Sequence, residues 1–318
     1  MRVLVTGATG FVGKKLCLEL SVEGYEVYAA VRKRSCGVLG KIHQVEVPDL
    51  TEFDWSDTLK DINVVIHAAA RVHQMNDNAV DSLNEFRCVN TVGTMALARQ
   101  AIESGVKRFI FLSSIKVNGE VTKIGQPFIP SDNSIPIDPY GLSKYEAEQG
   151  LLKLAQETAM EVVIIRPPLV YGPNVRANFA SMIHWVNKEV PLPFGAVNNL
   201  RSFVALDNLV DFIIHCIHHP KAANEIFLIS DGDDVSITEL LKRVANAYKK
   251  KILLLPVPAW LMRFLATLVG KDDIASRLLD DLQVDSSKCK DLLGWEPVTS
   301  MDEQLAKMMD VYLNEKGS

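Results

Sequence analysis

The chain has 318 residues, 48% of them apolar, and a formal net charge of −5, enough apolar material for one large core or two smaller ones. Both signs of charge are spread along it, so no basic face announces nucleic acid or a membrane as partner. The five cysteines, Cys17, Cys36, Cys88, Cys216 and Cys289, are odd in number and form no Cys-x-x-Cys pair, which speaks against a disulfide framework or a zinc site and fits a reduced, cytoplasmic setting.

Met1-Arg2 leads straight into the strand-like Val3-Leu4-Val5-Thr6, and no export signal is expected. Gly13 to Glu23 then reads as a helix and Glu26 to Val31 as a second strand. Val64-Val65-Ile66 and Phe109-Ile110-Phe111-Leu112 read as further strands, with a helix from Asn84 to Ser104 between them. Tyr140 to Thr158 reads as another helix, followed by the strand Glu161-Val162-Val163-Ile164-Ile165. Apolar strands alternating with helices predict a parallel sheet covered on both faces, a doubly wound α/β fold.

From Pro167 to Leu200 prolines, glycines and asparagines cluster, which suggests loops above the strand ends, where ligands of open α/β sheets bind. Residues 1–166 are therefore expected to hold a dinucleotide and 167–318 mainly a substrate. Segments near Phe203 to His215 and Ile226 to Ile229 are expected to return to the main sheet. Ser236-Ile237-Thr238-Glu239 reads as a capping box opening a helix. The apolar run Ala259 to Val269, interrupted by Arg263, is well short of the ~20 residues of a membrane span and reads as a packed or partner-facing helix.

Gly7-Ala8-Thr9-Gly10-Phe11-Val12-Gly13 follows the first strand and opens the first helix. One glycine allows a tight turn, one lets backbone approach a pyrophosphate, and one lets helix pack on strand, with helix amides facing the phosphates. NAD sites usually place an acid on the ribose ~20 residues later. Here the second strand ends in Val31-Arg32-Lys33-Arg34, a cluster suited to a 2′-phosphate, so NADP is favoured over NAD.

Tyr140-Gly141-Leu142-Ser143-Lys144 puts Tyr140 and Lys144 on one helix face. An ammonium near a phenol is expected to lower its pKa, so that it can trade a proton with a substrate oxygen. Ser114, after the Phe109 to Leu112 strand, could hold the same oxygen.

With the glycine turn, these residues resemble the extended branch of the short-chain dehydrogenase/reductase superfamily, the NAD-dependent epimerases and dehydratases with a Rossmann-type domain. The resemblance extends to His67-Ala68-Ala69-Ala70, Asn90-Thr91-Val92-Gly93-Thr94, Arg166-Pro167-Pro168-Leu169-Val170-Tyr171-Gly172-Pro173, Asp285-Ser286-Ser287-Lys288 and Leu293-Gly294-Trp295-Glu296-Pro297. It implies that Tyr140 is the acid/base, that Lys144 binds the nicotinamide ribose and tunes Tyr140, and that Ser114 orients the substrate. Further cofactor contacts are implied for Thr9, Phe11, Val12, Asp49, Leu50, Ala68, Ala69, Ala70, Asn90 and Pro167. The helices Asn84 to Ser104 and Tyr140 to Thr158 would pair across a homodimer.

Nucleotide-sugar members suggest substrate roles for Asn178, Arg201 and Arg277, the arginines gripping the diphosphate with their forked donors. A 4,6-dehydratase would carry an Asp-Glu pair where this chain has Ile115-Lys116, which argues against dehydration. Strict UDP-glucose 4-epimerases usually read Val-Tyr-Gly in place of Val117-Asn118-Gly119 and asparagine in place of Leu169. Ser113-Ser114-Ile115-Lys116-Val117-Asn118-Gly119-Glu120, Ala70-Arg71-Val72-His73 and Leu282-Gln283-Val284-Asp285 resemble a bacterial polysaccharide-cluster subgroup, often labelled UDP-glucose 4-epimerase, some members of which reduce the 4-keto group of a UDP-linked N-acetyl-6-deoxyhexose; Lys116 and His73 are candidates for shaping its pocket. The favoured expectation is the 4-ketoreductase, the alternative a 4-epimerase, and a non-catalytic dinucleotide sensor the reading from another class.

Overall fold

The computed structural model describes residues 1–34, 42–72, 82–132, 134–175 and 177–317. In chain order its strands are β1 (Arg2–Thr6), β2 (Glu26–Val31), β3 (His43–Glu46), β4 (Val64–His67), β5 (Arg108–Leu112), β6 (Glu161–Arg166), β7 (Leu169–Tyr171), β8 (Phe203–Ala205) and β9 (Glu225–Leu228). Seven of them form one parallel sheet in the order β3-β2-β1-β4-β5-β6-β9, the doubly wound arrangement expected. Its central strands are apolar throughout because both faces are covered.

The helices are α1 (Phe11–Val22), α2 (Ser82–Phe86), α3 (Thr94–Glu103), α4 (Pro139–Glu157), α5 (Ala177–Asn187), α6 (Leu206–His218), α7 (Ile237–Ala247), α8 (Ala259–Leu268), α9 (Asp272–Leu279), α10 (Ser287–Leu293) and α11 (Met301–Gly317). Alternate residues of β1 serve opposite layers. Val3 and Val5 pack with Leu16 and Leu20 of α1 and Leu209 and Phe212 of α6. Leu4 packs with Leu97 and Ala101 of α3 and Leu151 of α4. Arg108 ties sheet to helix: its Nη1 donates to the carbonyls of Cys216, Ile217 and His219 at the end of α6, where free carbonyls and the helix dipole favour a cation.

A second core gathers Tyr171, Phe179, Phe203, Leu240, Val244 and Leu305 from β7, α5, β8, α7 and α11. Of the expected returns, β9 joins the seven-stranded sheet beside β6, whereas in the Phe203 segment β8 pairs with β7 outside that sheet and α6 packs on it. The expected helix from Asn84 is one run from Ser82 to Glu103 whose middle, Arg87–Gly93, widens into a π-helical turn. Of the capping box half forms: Ser236 Oγ accepts from Glu239 N at 3.0 Å, while the Glu239 carboxylate turns to Arg243. The run after Ala259 is a ten-residue helix with no buried residue, and no described helix is long and apolar enough to cross a membrane.

Candidate functional site

At the carboxyl ends of β1, β2 and β4 lies a cavity of about 380 Å³. Gly7, Thr9 and Gly10 form its floor, Ala68, Ala69 and Ala70 one wall, and Asp49, Leu50 and Arg32 the far end. Gly7 has φ +69°, and a Cβ on it would stand 2.7 Å from Ala69 N; a Cβ on Gly13 would stand 2.2 Å from Gly7 O. The tight packing of α1 onto the turn starts that helix directly after Gly10, which lines the cavity, and the free amides of a helix start are a setting for phosphate. The cradle that side chains would fill is of the kind a dinucleotide needs. Arg32 is exposed at its rim. Asp49 has its carboxylate engaged by the amide and hydroxyl of Thr51, at 2.8 and 2.7 Å, which hold its pKa below the usual range.

Next to the cavity runs a buried polar chain. Thr94 Oγ1 donates to Asn90 O at 2.7 Å, so it accepts from His67 Nε2 at 2.9 Å. The ring therefore carries its proton on Nε2 and accepts at Nδ1 from Thr6 Oγ1, 2.7 Å away. Burial, with Lys144 nearby, holds His67 down at about 3. The Asn90 amide then exchanges hydrogen bonds with the backbone of Arg71 and donates to Ser143 Oγ at 3.0 Å, and Ser143 Oγ donates to Tyr140 O. The dinucleotide turn is thus bonded through to the helix that carries Tyr140.

Ser114, Tyr140 and Lys144 come together at the ends of β5 and α4. Ser114 caps a single 3-10 turn, Ile115–Val117, which the carbonyl of buried Pro167 anchors through Ile115 N at 2.9 Å. Asp138 caps α4 through Gly141 N at 2.8 Å. The Ser114 hydroxyl faces the Tyr140 phenol and acts to lower its pKa. Lys144, 1% exposed, donates to Leu112 O at 2.8 Å and lies 4.3 Å over the Phe111 ring.

The electrostatics run opposite to the expectation that the ammonium would favour the phenolate. Burial pushes Tyr140 up to about 12, against the Ser114 hydroxyl and with help from Asp138. Burial pushes Lys144 down to about 7, against the pull of Glu148. Desolvation outweighs the lysine because its ammonium is turned to a carbonyl and an aromatic face. The phenol is held in its acid form across neutral pH.

Sequence reasoning missed the support beneath these residues. Glu148, fully buried one turn after Lys144, receives Nε and Nη2 of Arg166, the latter at 2.6 Å, and the Ser113 hydroxyl; Arg166 Nη1 donates to Asn118 Oδ1 at 2.9 Å. An acid at i+4 from the lysine was visible, but nothing local tied it to an arginine on the next strand.

The other predicted substrate residues are scattered in kind. Lys116 is clamped to Glu120 at 2.7 Å and to Asp138 at 3.2 Å, so it braces the cap of α4. Arg201 donates to Asp280 O at 2.8 Å, and burial lowers its pKa. Arg277 is exposed on α9, three residues before that carbonyl. Asn178 sits on α5 with its side chain outside the described residues, as are His73 and Cys36 entirely.

A profile of the NAD dependent epimerase/dehydratase family matches residues 3–230. A Vibrio cholerae protein named UDP-glucose 4-epimerase is 49% identical over 316 residues, covering 98% of this chain and 95% of that one. The solved UDP-glucuronic acid 4-epimerase of Bacillus cereus, in complex with NAD, superposes with a TM-score of 0.80 at 22% identity, covering 99% of each chain. RMD from Pseudomonas aeruginosa, complexed with NADPH, does so with a TM-score of 0.73 at 20% identity, covering 98% of this chain and 99% of that one. Those two likenesses speak for the fold; the profile and the Vibrio relative carry the assignment, and the chain belongs to the NAD-dependent epimerase/dehydratase family of enzymes.

Proposed function

We propose that the enzyme interconverts a nucleotide sugar and its 4-epimer through a 4-keto intermediate. The observation that carries this reading is the placing of Ser114, Tyr140 and Lys144 at the ends of β5 and α4, with the helix of Tyr140 bonded through Ser143 and Asn90 towards the glycine cradle. The nicotinamide of a bound dinucleotide supplies a hydride acceptor and donor. Ser114 and Tyr140 bind the sugar O4; since burial keeps the phenol in its acid form, a charged Lys144 at the ribose must first favour its phenolate, which then takes the O4 proton as the ketone forms and returns it on reduction. Gly7, Thr9, Gly10 to Gly13, Asp49, Leu50 and Ala68 to Ala70 hold the cofactor, while Asn90 and Pro167, whose polar groups are taken by Arg71, Ser143 and Ile115, brace the site behind it. Arg201, Arg277 and Asn178 receive the diphosphate, and residues 167–318 shape the sugar site. The 49% identity to a relative named UDP-glucose 4-epimerase moves the preference from reduction to epimerisation.

Arg32 at the cavity rim favours a second reading, reduction of a UDP-linked 4-keto-6-deoxy-N-acetylhexosamine with NADPH. Asn118 and Leu169, where strict epimerases differ, point the same way. Denaturing the purified enzyme and identifying any released dinucleotide tests both, followed by incubation of native enzyme with UDP-glucose or UDP-N-acetylglucosamine, or with a UDP-4-keto sugar and NADPH. Bound NAD and redox-neutral epimer formation are expected; stoichiometric NADPH oxidation without epimerisation would establish the reductase instead.

A further inference from the structure

From α8 and the segment before it we infer a peripheral docking surface for an anionic lipid bilayer. An ordinary helix hides at least one face, and one that is apolar nearly all round is normally buried. No residue of α8 is buried. Met262 and Ala266 rest against the second core, and its two polar residues are tied down, Arg263 to Asp280 and the Thr267 hydroxyl to Asp272. The rest faces outward: Trp260, Phe264 and Leu268, spaced i, i+4, i+8 on one stripe, are 69%, 57% and 67% exposed. Leu265 and Val269 widen that stripe. Contiguous apolar surface of this kind marks a place of interaction.

Charge names the partner. The net charge of −5 conceals a stretch from Tyr248 to Lys271 with five cations and no acid before Asp272 and Asp273; Lys250 is paired with Glu189 and Arg263 with Asp280, which leaves Lys249, Lys251 and Lys271. Lys249, Lys251 and Lys271 are exposed, flanking the helix on both sides in the chain. A second copy seated symmetrically on this patch would set cations against cations. Anionic headgroups suit it: aromatic and leucine side chains enter the acyl boundary while lysines meet phosphates. Since α8 is too short to span a bilayer, it would lie in the plane of the interface.

The test is flotation of the full-length enzyme with vesicles containing about a third phosphatidylglycerol and with vesicles of phosphatidylcholine alone. Binding is expected to the first only, and to weaken as salt is raised to roughly 0.5 M. Phe264→Asp should abolish it, and the pair Lys249→Gln and Lys251→Gln should weaken it roughly thirty-fold, from about two lysine–lipid contributions. All these side chains are exposed, so melting temperature and mass in solution should stay as in the parent. No binding to anionic vesicles, or equal binding by Phe264→Asp, overturns the proposal; so does a halved mass in Phe264→Asp, which would assign the patch to a second copy.

Discussion

His67 cannot take a second ring proton without losing the hydroxyl that Thr6 donates to Nδ1. Its folded-state pKa is about 3 against 6.5 when exposed, so between these values the unfolded chain binds more protons and stability falls as pH falls, by up to about 1.4 kcal/mol per unit. Urea unfolding at several pH values should therefore show a steeper acid loss in the parent than in His67→Gln; parallel curves would discard the idea. Glu148 is the converse case, a buried charge made tolerable by Arg166. Glu148→Gln strands that guanidinium and should cost about 3–5 kcal/mol by urea unfolding. A cost below about 1 kcal/mol would mean that the pair carries little weight. Tyr140→Phe removes the proposed acid/base and one hydroxyl, and is expected to abolish turnover with dinucleotide affinity kept, as read by calorimetry. A rate like the parent's would sink the proposed mechanism.

At the scale of elements, the approach of α4 to the Ser114 turn is limited by a missing side chain: a Cβ on Gly141 would stand 2.7 Å from Lys116 O. Gly141→Ala should push Tyr140 away from Ser114 and lower kcat at least tenfold, about 1.4 kcal/mol, while leaving dinucleotide binding intact; unchanged kcat would show that the turn can yield. What was legible in the sequence was what is local. The glycine turn and the Tyr140–Lys144 spacing lie within one turn or one helix, and β1, β2 and β4 to β6 announce themselves as apolar runs. The strand β3 escaped because His43–Glu46 is a partly exposed edge with no apolar run. The pairing of β8 with β7 escaped because nothing in Phe203–Ala205 says which neighbour it will find. The links His67–Thr6 and Arg166–Glu148 span 61 and 18 residues, and local pattern is blind to both.

At the scale of the molecule, α3 and α4 lie side by side on one face of the sheet, and we propose that their outer surfaces pair across a two-fold axis as a four-helix bundle. Sedimentation should then give a mass twice the 35.3 kDa of the chain; a monomer would contradict it. The cofactor class was readable because the glycine cradle is sequence and structure at once. The sugar was not, because Arg201, Arg277 and Asn178 stand on separate elements of the second core, whose mutual placement no short motif encodes.

The widened turn Arg87–Gly93 works as a length standard. It contains Asn90, which is bonded on one side to Arg71 and on the other to Ser143, and it hands the chain on to α3. Removing one residue there would restore a regular helix with Leu97, Ala98 and Ala101 near their present phase, because the widened turn absorbs one extra residue, but it would shift Asn90 away from Arg71 and Ser143. Insertions and deletions in this segment should therefore be far less tolerated than point changes, because two sites take their separation from the same seven residues.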